Sequence, residues 1–165
     1  MNSVKILTAI CLLSGSAIAV EVPITGTVES RCVIQTDTAG IYGNPNAYTL
    51  STAPADGGVL PIVRYDVSLA DAYNARITYP TSFSQSPNLN DTVTFTGSVD
   101  VSQVGDVAMA DYQTDSITYD QTREYALTAT GSTWFKVESE ATNGGNRAFP
   151  SGTYRAVVEA ECIAQ

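Results

Sequence analysis

Apolar and polar residues alternate along much of the chain, and the alternation is clearest near its two ends. From 20 to 34 the even positions are mostly apolar or small and include Cys32, whereas the odd positions are mostly polar or charged. A second series begins at Tyr154, where every other residue through Cys162 is apolar. A period of two is typical of a β-strand that buries one face. The pattern predicts two long amphipathic strands with both cysteines on their inward faces.

Further strands are predicted between these ends. The same alternation covers 59–69, 73–79 and 93–101, and shorter runs cover 116–120, 124–130 and 133–139. Segments rich in glycine, proline and asparagine separate them at 43–46, 54–58, 86–91, 130–132 and 143–146, which predicts turns. Pro61 predicts that its strand starts there or lies at an edge. Only 104–112 could form a helical turn or two, and this segment is equally well explained as a loop or a short strand. Seven or eight short strands predict an all-β antiparallel sandwich.

Residues 1–19 have the features of a cleaved signal peptide. Lys5 gives a positive start, an apolar run follows at 6–13, and Ala17-Ile18-Ala19 is a small-x-small cleavage site. The run is too short to span a bilayer. A lipid anchor at Cys11 is disfavoured because the preceding isoleucine is too large for that cleavage. We therefore expect an exported protein with one domain, residues 20–165.

Removal of the leader leaves two cysteines, Cys32 and Cys162. An exported chain with two cysteines predicts one disulfide between them. That bond would close a loop of about 130 residues, for which the chain-entropy estimate is about 5 kcal/mol of stabilisation. The alternatives are two free thiols or a bridge between molecules.

The charge of the chain narrows the choice of partners. Without Lys5, seven basic residues remain against 17 acidic ones, so the exported domain has a net charge of −10. An acidic surface repels phosphate backbones, which disfavours nucleic acid as a partner. Such a charge is typical of a protein that stays soluble outside the cell. No segment after the leader is apolar for long enough to predict a membrane span.

The residues needed for common catalytic mechanisms are scarce. The chain has no histidine, which removes the most frequent general base and metal ligand. Lys136 has no serine motif near it, and no phosphate-binding glycine motif is present. We expect neither an enzyme nor a bound cofactor.

Two groups of residues allow more than one interpretation. Asp106, Asp111, Asp115 and Asp120 lie in the acidic stretch 106–120, but their spacing does not follow the calcium-binding loop. A solvated acidic loop is favoured over a calcium site. Several tyrosines could stack on sugars, but they fall on predicted inner faces and are better explained as core. These are Tyr65, Tyr73, Tyr79, Tyr125 and Tyr154. Trp134 is the aromatic residue expected to be most exposed.

Three short motifs resemble bacterial fimbrial subunits. I-T-G-T-V-E-S-R-C-V-I at 24–34 resembles an amphipathic extension that runs into a first strand containing cysteine. I-Y-G-N-P at 41–45 is similar to a turn of the spore coat U and archaic pilin group. F-P-S-G-T-Y-R-A-V-V-E-A at 149–160 resembles the alternating last strand of that group. Together they cover about forty residues.

The resemblance implies a fold and a mode of assembly. Such a subunit is an immunoglobulin-like sandwich of about seven strands that lacks its last strand, which leaves a groove open. A periplasmic chaperone fills the groove first, and in the fibre the extension of the next subunit replaces it. Assembly at an outer-membrane usher then carries the protein from the periplasm to the cell surface, where the fimbria serves adhesion or biofilm formation.

Residue roles follow from the same resemblance. Residues 20–25 would be the donor-strand extension, with Val20, Val22 and Ile24 as the donor side chains. Each subunit would accept the donor strand of another copy or of a related subunit in its own groove. The residues that flank this acceptor groove would be Val28, Ile34, Tyr154, Ala156, Val158 and Ala160. The alternative is a self-contained secreted or periplasmic β-sandwich, a binding module that does not polymerise.

Overall fold

The alternating segments of the sequence form strands in the computed structural model, which describes residues 25–27 and 29–165. The strands are β1 (Cys32–Thr38), β2 (Gly43–Asn46), β3 (Thr49–Ser51), β4 (Ile62–Val67), β5 (Tyr73–Thr78), β6 (Phe83–Gln85), β7 (Val93–Val104), β8 (Ile117–Tyr119), β9 (Thr122–Ala126), β10 (Gly131–Asn143), β11 (Arg155–Ala156) and β12 (Glu159–Ala164). Short 3-10 helices cover Pro54–Asp56, Val107–Gln113 and Gly144–Asn146. Seven of the strands have five residues or more. The predicted all-β sandwich is confirmed.

Two antiparallel sheets form the layers of the sandwich. The larger sheet runs β1-β4-β10-β7, and the smaller runs β12-β5-β9-β8. The long strand β10 changes partner along one edge: residues 131–136 pair with β4, and residues 140–142 pair with β3. β2 pairs with β3, and β6 forms a separate pair with β11. In the described part of the chain, β1 and β12 each have a strand partner on one edge only.

The core lies between the inner faces of the two sheets. In β4, Val63, Tyr65 and Val67 are buried, whereas the residues between them are half-buried. Ala75 and Ile77 of β5 are fully buried on the opposite layer. This burial follows the period-two pattern of the sequence. The hydrophobic effect fixes the pairing register of each strand, because a slip of one residue would expose every core side chain of that strand.

Two buried tyrosines join the layers. The Tyr65 hydroxyl, on the larger sheet, donates to the Arg76 carbonyl at 3.0 Å and the Glu161 carbonyl at 3.3 Å on the smaller sheet. In the other direction, the Tyr125 hydroxyl donates to the Val99 carbonyl at 2.7 Å. Both side chains are fully buried, so these bonds satisfy phenol groups that would otherwise be costly to remove from water.

Burial also changes the acidity of these phenols. It raises the pKa of Tyr65 far above its ordinary value and raises the pKa of Tyr125 to about 12. Two nearby charges have smaller effects on the pKa of Tyr125 than burial does: Arg123 lowers this pKa and Asp100 raises it. The folded state therefore holds both phenols protonated at a pH where they ionise in the unfolded chain.

The predicted disulfide is present between Cys32 and Cys162, with their Cα atoms 6.3 Å apart. Cys32 lies on β1, the edge of the larger sheet, and Cys162 lies on β12, the edge of the smaller sheet. A hydrogen bond of 3.1 Å between the hydroxyls of Ser30 and Tyr73 also links the segment before β1 to the smaller sheet. The two layers are thus joined along one side of the sandwich.

Several element boundaries differ from the sequence predictions. β1 begins at Cys32, and no strand covers residues 25–27 or 29–31. The predicted last strand is divided into β11 and β12, because β11 pairs with β6 and β12 pairs with β5. Of the alternatives for 104–112, the helical one is present, as the 3-10 helix Val107–Gln113. β4 begins directly after Pro61. Residues 1–24 and Val28, including the signal peptide and the donor side chains Val20, Val22 and Ile24, lie outside the described residues.

The segment Gly43-Asn44-Pro45-Asn46 was predicted as a turn, and that prediction is wrong. It forms β2, which pairs with β3, and the turn follows at residues 47–48. A Cβ on Gly43 would clash with the Asp56 carbonyl oxygen. The glycine is therefore required by close approach of the Pro54–Asp56 loop rather than by a turn.

We expect removal of the disulfide to lower the free energy of unfolding substantially. The double variant Cys32→Ala and Cys162→Ala should lose about 5 kcal/mol by the loop-entropy estimate for a separation of 130 residues. Urea unfolding of the oxidised wild type, the reduced wild type and the double variant provides the measurement. A double variant as stable as the oxidised protein would contradict a structural role for the bond.

We expect the stability of the protein to fall under alkaline conditions. Since burial raises the folded-state pKa of Tyr125 to about 12, its contribution is fully present below about pH 10 and is lost as the pH rises through about 12. Tyr125→Phe should make this decline shallower. The same variant should cost about 1–3 kcal/mol at neutral pH, because the buried Val99 carbonyl loses its donor.

Urea unfolding at a series of pH values checks the alkaline prediction. Tyr119→Phe is the matched control, since that ring is 54% exposed. An alkaline decline of equal steepness in the wild type and in Tyr125→Phe would rule out the assigned role.

Candidate functional site

A groove of about 660 Å³ opens where the two joined edges of the sandwich separate. One wall is the end of β1 and the segment that follows it, Thr36 to Tyr42. The opposite wall is formed by Gly152 and residues 154–158, which include β11 and lead into β12. The disulfide lies toward the far end of β1 and β12, at Cys32 and Cys162. The groove and the disulfide therefore lie on the same side of the sandwich, where the disulfide joins the two sheets at one end and the groove separates them at the other.

The floor of the groove is the core itself. Leu50, Val63 and Ser139 line it and are buried. Ser139 lies at the point where β10 changes from β4 to β3, and its backbone amide is bonded to the hydroxyl of Thr52 at 2.9 Å. Backbone groups at this junction are satisfied, so the groove is a gap between side chains of two layers and not a break in the sheet.

Two packed features hold the walls in place. The Tyr42 hydroxyl is hydrogen-bonded to the Ser139 hydroxyl at 3.0 Å, and burial raises the pKa of Tyr42 above its ordinary value. On the other wall, the Tyr154 hydroxyl donates to the Pro150 carbonyl at 2.6 Å. The Phe83 ring lies between these tyrosines, 6.1 Å from Tyr42 and 5.1 Å from Tyr154 between centroids. These contacts make the groove a preformed cleft.

A close backbone approach shapes the first wall. A Cβ on Gly40 would lie 2.8 Å from a ring carbon of Pro61, so the chain at 39–41 can pass against the start of β4 only with glycine there. Ile41 is bonded on one side to Val59 through both of its backbone groups. Its side chain is left at the rim of the groove, 58% exposed.

The groove is apolar at its rim and nearly uncharged. Ile41 and Val157 are 58% and 51% exposed on opposite walls. Arg155 is the single charged side chain among the described residues that line it. Large apolar side chains exposed around a cleft that reaches the core are typical of a binding surface for an apolar segment.

The strands beside the groove have unpaired backbone edges. β1 pairs with β4 only, and β12 pairs with β5 only, and no ladder joins β1 to β11 or β12 within the described residues. Free N–H and C=O groups on an edge strand can accept another strand. The groove can thus bind an extended segment through main-chain hydrogen bonds and alternate apolar side chains.

The residues predicted to flank an acceptor groove are found in three places. Tyr154, Ala156 and Val158 line the groove directly. Ile34 and Ala160 pack against the core nearer the disulfide and do not line it. Val28 lies outside the described residues. The residues that the sequence prediction missed are Ile41, Tyr42, Leu50, Val63 and Ser139. Val63 and Ser139 lay in the predicted strands 59–69 and 133–139, and Ile41 and Tyr42 lay in the motif I-Y-G-N-P, but none of these signals indicated a groove.

Other residues considered for chemistry are placed elsewhere. Asp106 caps the Val107–Gln113 helix by accepting from the Ala108 amide at 2.9 Å. Residues 25–27 and 29–165 contain no group of three or more carboxylates or cysteines close enough to hold a metal ion. Trp134 is half-buried: its indole N–H donates to Asp37 at 3.2 Å, and the Arg64 guanidinium lies over its ring at 5.8 Å. The more exposed aromatic residue is Tyr119.

Comparison with known proteins does not assign this chain to a family. Family models, curated proteins and solved structures all gave no match. Among the described residues, no helix is long and apolar enough to cross a membrane.

We expect the exposed rim of the groove to bind apolar probes. The double variant Ile41→Ser and Val157→Ser should reduce the fluorescence of a bound hydrophobic dye. Each change should alter the free energy of unfolding by no more than about 0.5 kcal/mol, because both side chains are surface-exposed. Val107→Ser is the matched control, since Val107 is 86% exposed and does not line the groove. Equal dye binding by the rim variant and the control would contradict the prediction.

Proposed function

We propose that this protein is an exported structural subunit of a surface fimbria, assembled by donor-strand complementation and serving adhesion or biofilm formation. The observation that carries the proposal is the groove between the unpaired edges of β1 and the β11–β12 segment, with the buried core as its floor. An extended segment with apolar residues at every second position would fill that groove and pair with the free edges.

The segment proposed to fill the groove is the sequence V-E-V-P-I-T at 20–25 of another copy or of a related subunit. Val20, Val22 and Ile24 alternate as a donor strand requires, and the groove offers an apolar lining. Before assembly, a periplasmic chaperone would cover the same groove with one of its own strands, and an outer-membrane usher would exchange it. The signal-peptide pattern at 1–19 supports passage to the periplasm.

A second candidate is a self-contained secreted or periplasmic binding module. The observation that favours it is the disulfide between β1 and β12, which joins the two sheets without help from another molecule. In that protein, residues 20–24 would be part of their own domain, and the groove would bind a free ligand.

The substitution Ile24→Asp separates the two candidates. In a fimbrial subunit, the isolated domain should keep its melting temperature, whereas multimers should fail to form because a charge would enter the neighbour's apolar groove. Thr25→Asp, which adds the same charge on the other face of the segment, is the matched control and should assemble. Thermal unfolding and light scattering measure the two properties. A monomer that unfolds on Ile24→Asp, with no multimer in the wild type, would favour the binding module.

A further inference from the structure

Arg155 is the one charged residue that lines the groove in the described part of the chain, and its exposed side chain lies on the outward side of β11. It lines the wall formed by Gly152 and residues 154–158. Within the described residues, the ion pairs of the chain involve other arginines, and none involves Arg155. An exposed guanidinium beside an apolar cleft is available to bind a carboxylate on whatever fills that cleft.

The edges around Arg155 carry the opposite charge. Asp37 is exposed on β1, where it accepts a hydrogen bond from the Trp134 indole, and Glu159 and Glu161 are exposed on β12, where Glu161 is paired with Arg76 at 3.7 Å. Glu159 lies four residues beyond Arg155, which is about 13 Å along an extended chain. A carboxylate on an inserted strand would therefore be attracted where it lies beside Arg155 and repelled where it lies beside Glu159.

The segment at 20–25 has a single charged residue, Glu21. Alternation places it on the face opposite Val20 and Val22, so it points outward when these valines point into a groove. Arg155 has the same outward parity, between the inward residues Tyr154 and Ala156. Six extended residues span about 20 Å, which is enough to place Glu21 beside Arg155 while its neighbours enter the cleft.

We propose that the occupant of the groove is residues 20–25 of a second copy of this chain, held in register by an ion pair between its Glu21 and Arg155. This inference rests on the proposed function and adds to it that the chain assembles with itself in one register. Apolar burial supplies most of the affinity, since an exposed ion pair changes binding by only about twofold to fivefold. The charge selects the register, because an arrangement slipped along this wall moves Glu21 away from Arg155 and toward Glu159.

Charge reversal provides the test. The exported chain from Val20 is prepared as wild type, as Glu21→Arg, as Arg155→Glu and as the double variant. Light scattering then gives the protein concentration at which half of each is multimeric. Each single reversal should raise this concentration by about fivefold or more, because attraction becomes repulsion. The double variant should return to the wild-type value, and circular dichroism should show that every variant is folded.

Mixing the two single variants determines whether the contact lies between copies. Glu21→Arg supplies a donor segment that fits the groove of Arg155→Glu, and the reverse pairing also matches. An equimolar mixture should therefore assemble at the wild-type concentration although neither variant does so alone. Restoration by the double variant without restoration in the mixture would mean a contact within one chain, which would overturn the proposal.

Two further results would decide against the ion pair. If the single reversals assemble like the wild type while Ile24→Asp does not, the pair is overturned and the proposed function stands. If the wild type forms no multimer at any concentration, both the ion pair and the proposed function are contradicted. Lys136→Glu is the matched control for net charge: it lies on β10 outside the groove lining and should leave assembly unchanged.

Discussion

The covalent link between β1 and β12 determines how the two layers of this protein meet. Each strand is the edge of a different sheet, and each has a strand partner on only one side. The bond at Cys32 and Cys162 holds these edges together at one end, while the tyrosines in the core set the separation of the layers. At the other end the groove opens, and within residues 25–27 and 29–165 no disulfide joins its walls. The disulfide and the groove therefore lie at opposite ends of the same side of the sandwich.

Much of this fold could be predicted from the sequence because its strands bury one face. Tyr65, Ile77 and Phe135 are all fully buried, as their parity predicts. The disulfide was predictable for a similar reason: both cysteines have inward parity, and an exported chain with two cysteines favours one bond. The short strands β2, β3 and β6 were not predicted, since runs of three or four residues give little evidence of a period. β8 and β11 are as short, but they lie within the predicted strand 116–120 and the series that begins at Tyr154.

The family resemblance implied a groove, but the alternation of the sequence could not place it, because the groove depends on pairing between distant segments. It exists where β10 changes partner at Ser139 and where the alternating segment after Tyr154 leaves β6 to join β5. Alternation describes which face of a strand is buried, but it contains no information on which strand lies alongside. Tyr154 and Ala156 were named from a family resemblance, whereas Ile41 and Tyr42 required the structure.

The distance along the chain between the two clamped strands has a consequence for how the protein folds. β1 can pair with β4 soon after both are synthesised, but Cys162 follows Cys32 by 130 residues. Contacts of such high sequence separation form late and slowly. During that interval the outer edge of β1 and the inner face behind it are exposed to other chains, which is the condition that promotes aggregation. The protein is therefore most prone to aggregate in the interval before β12 reaches β1.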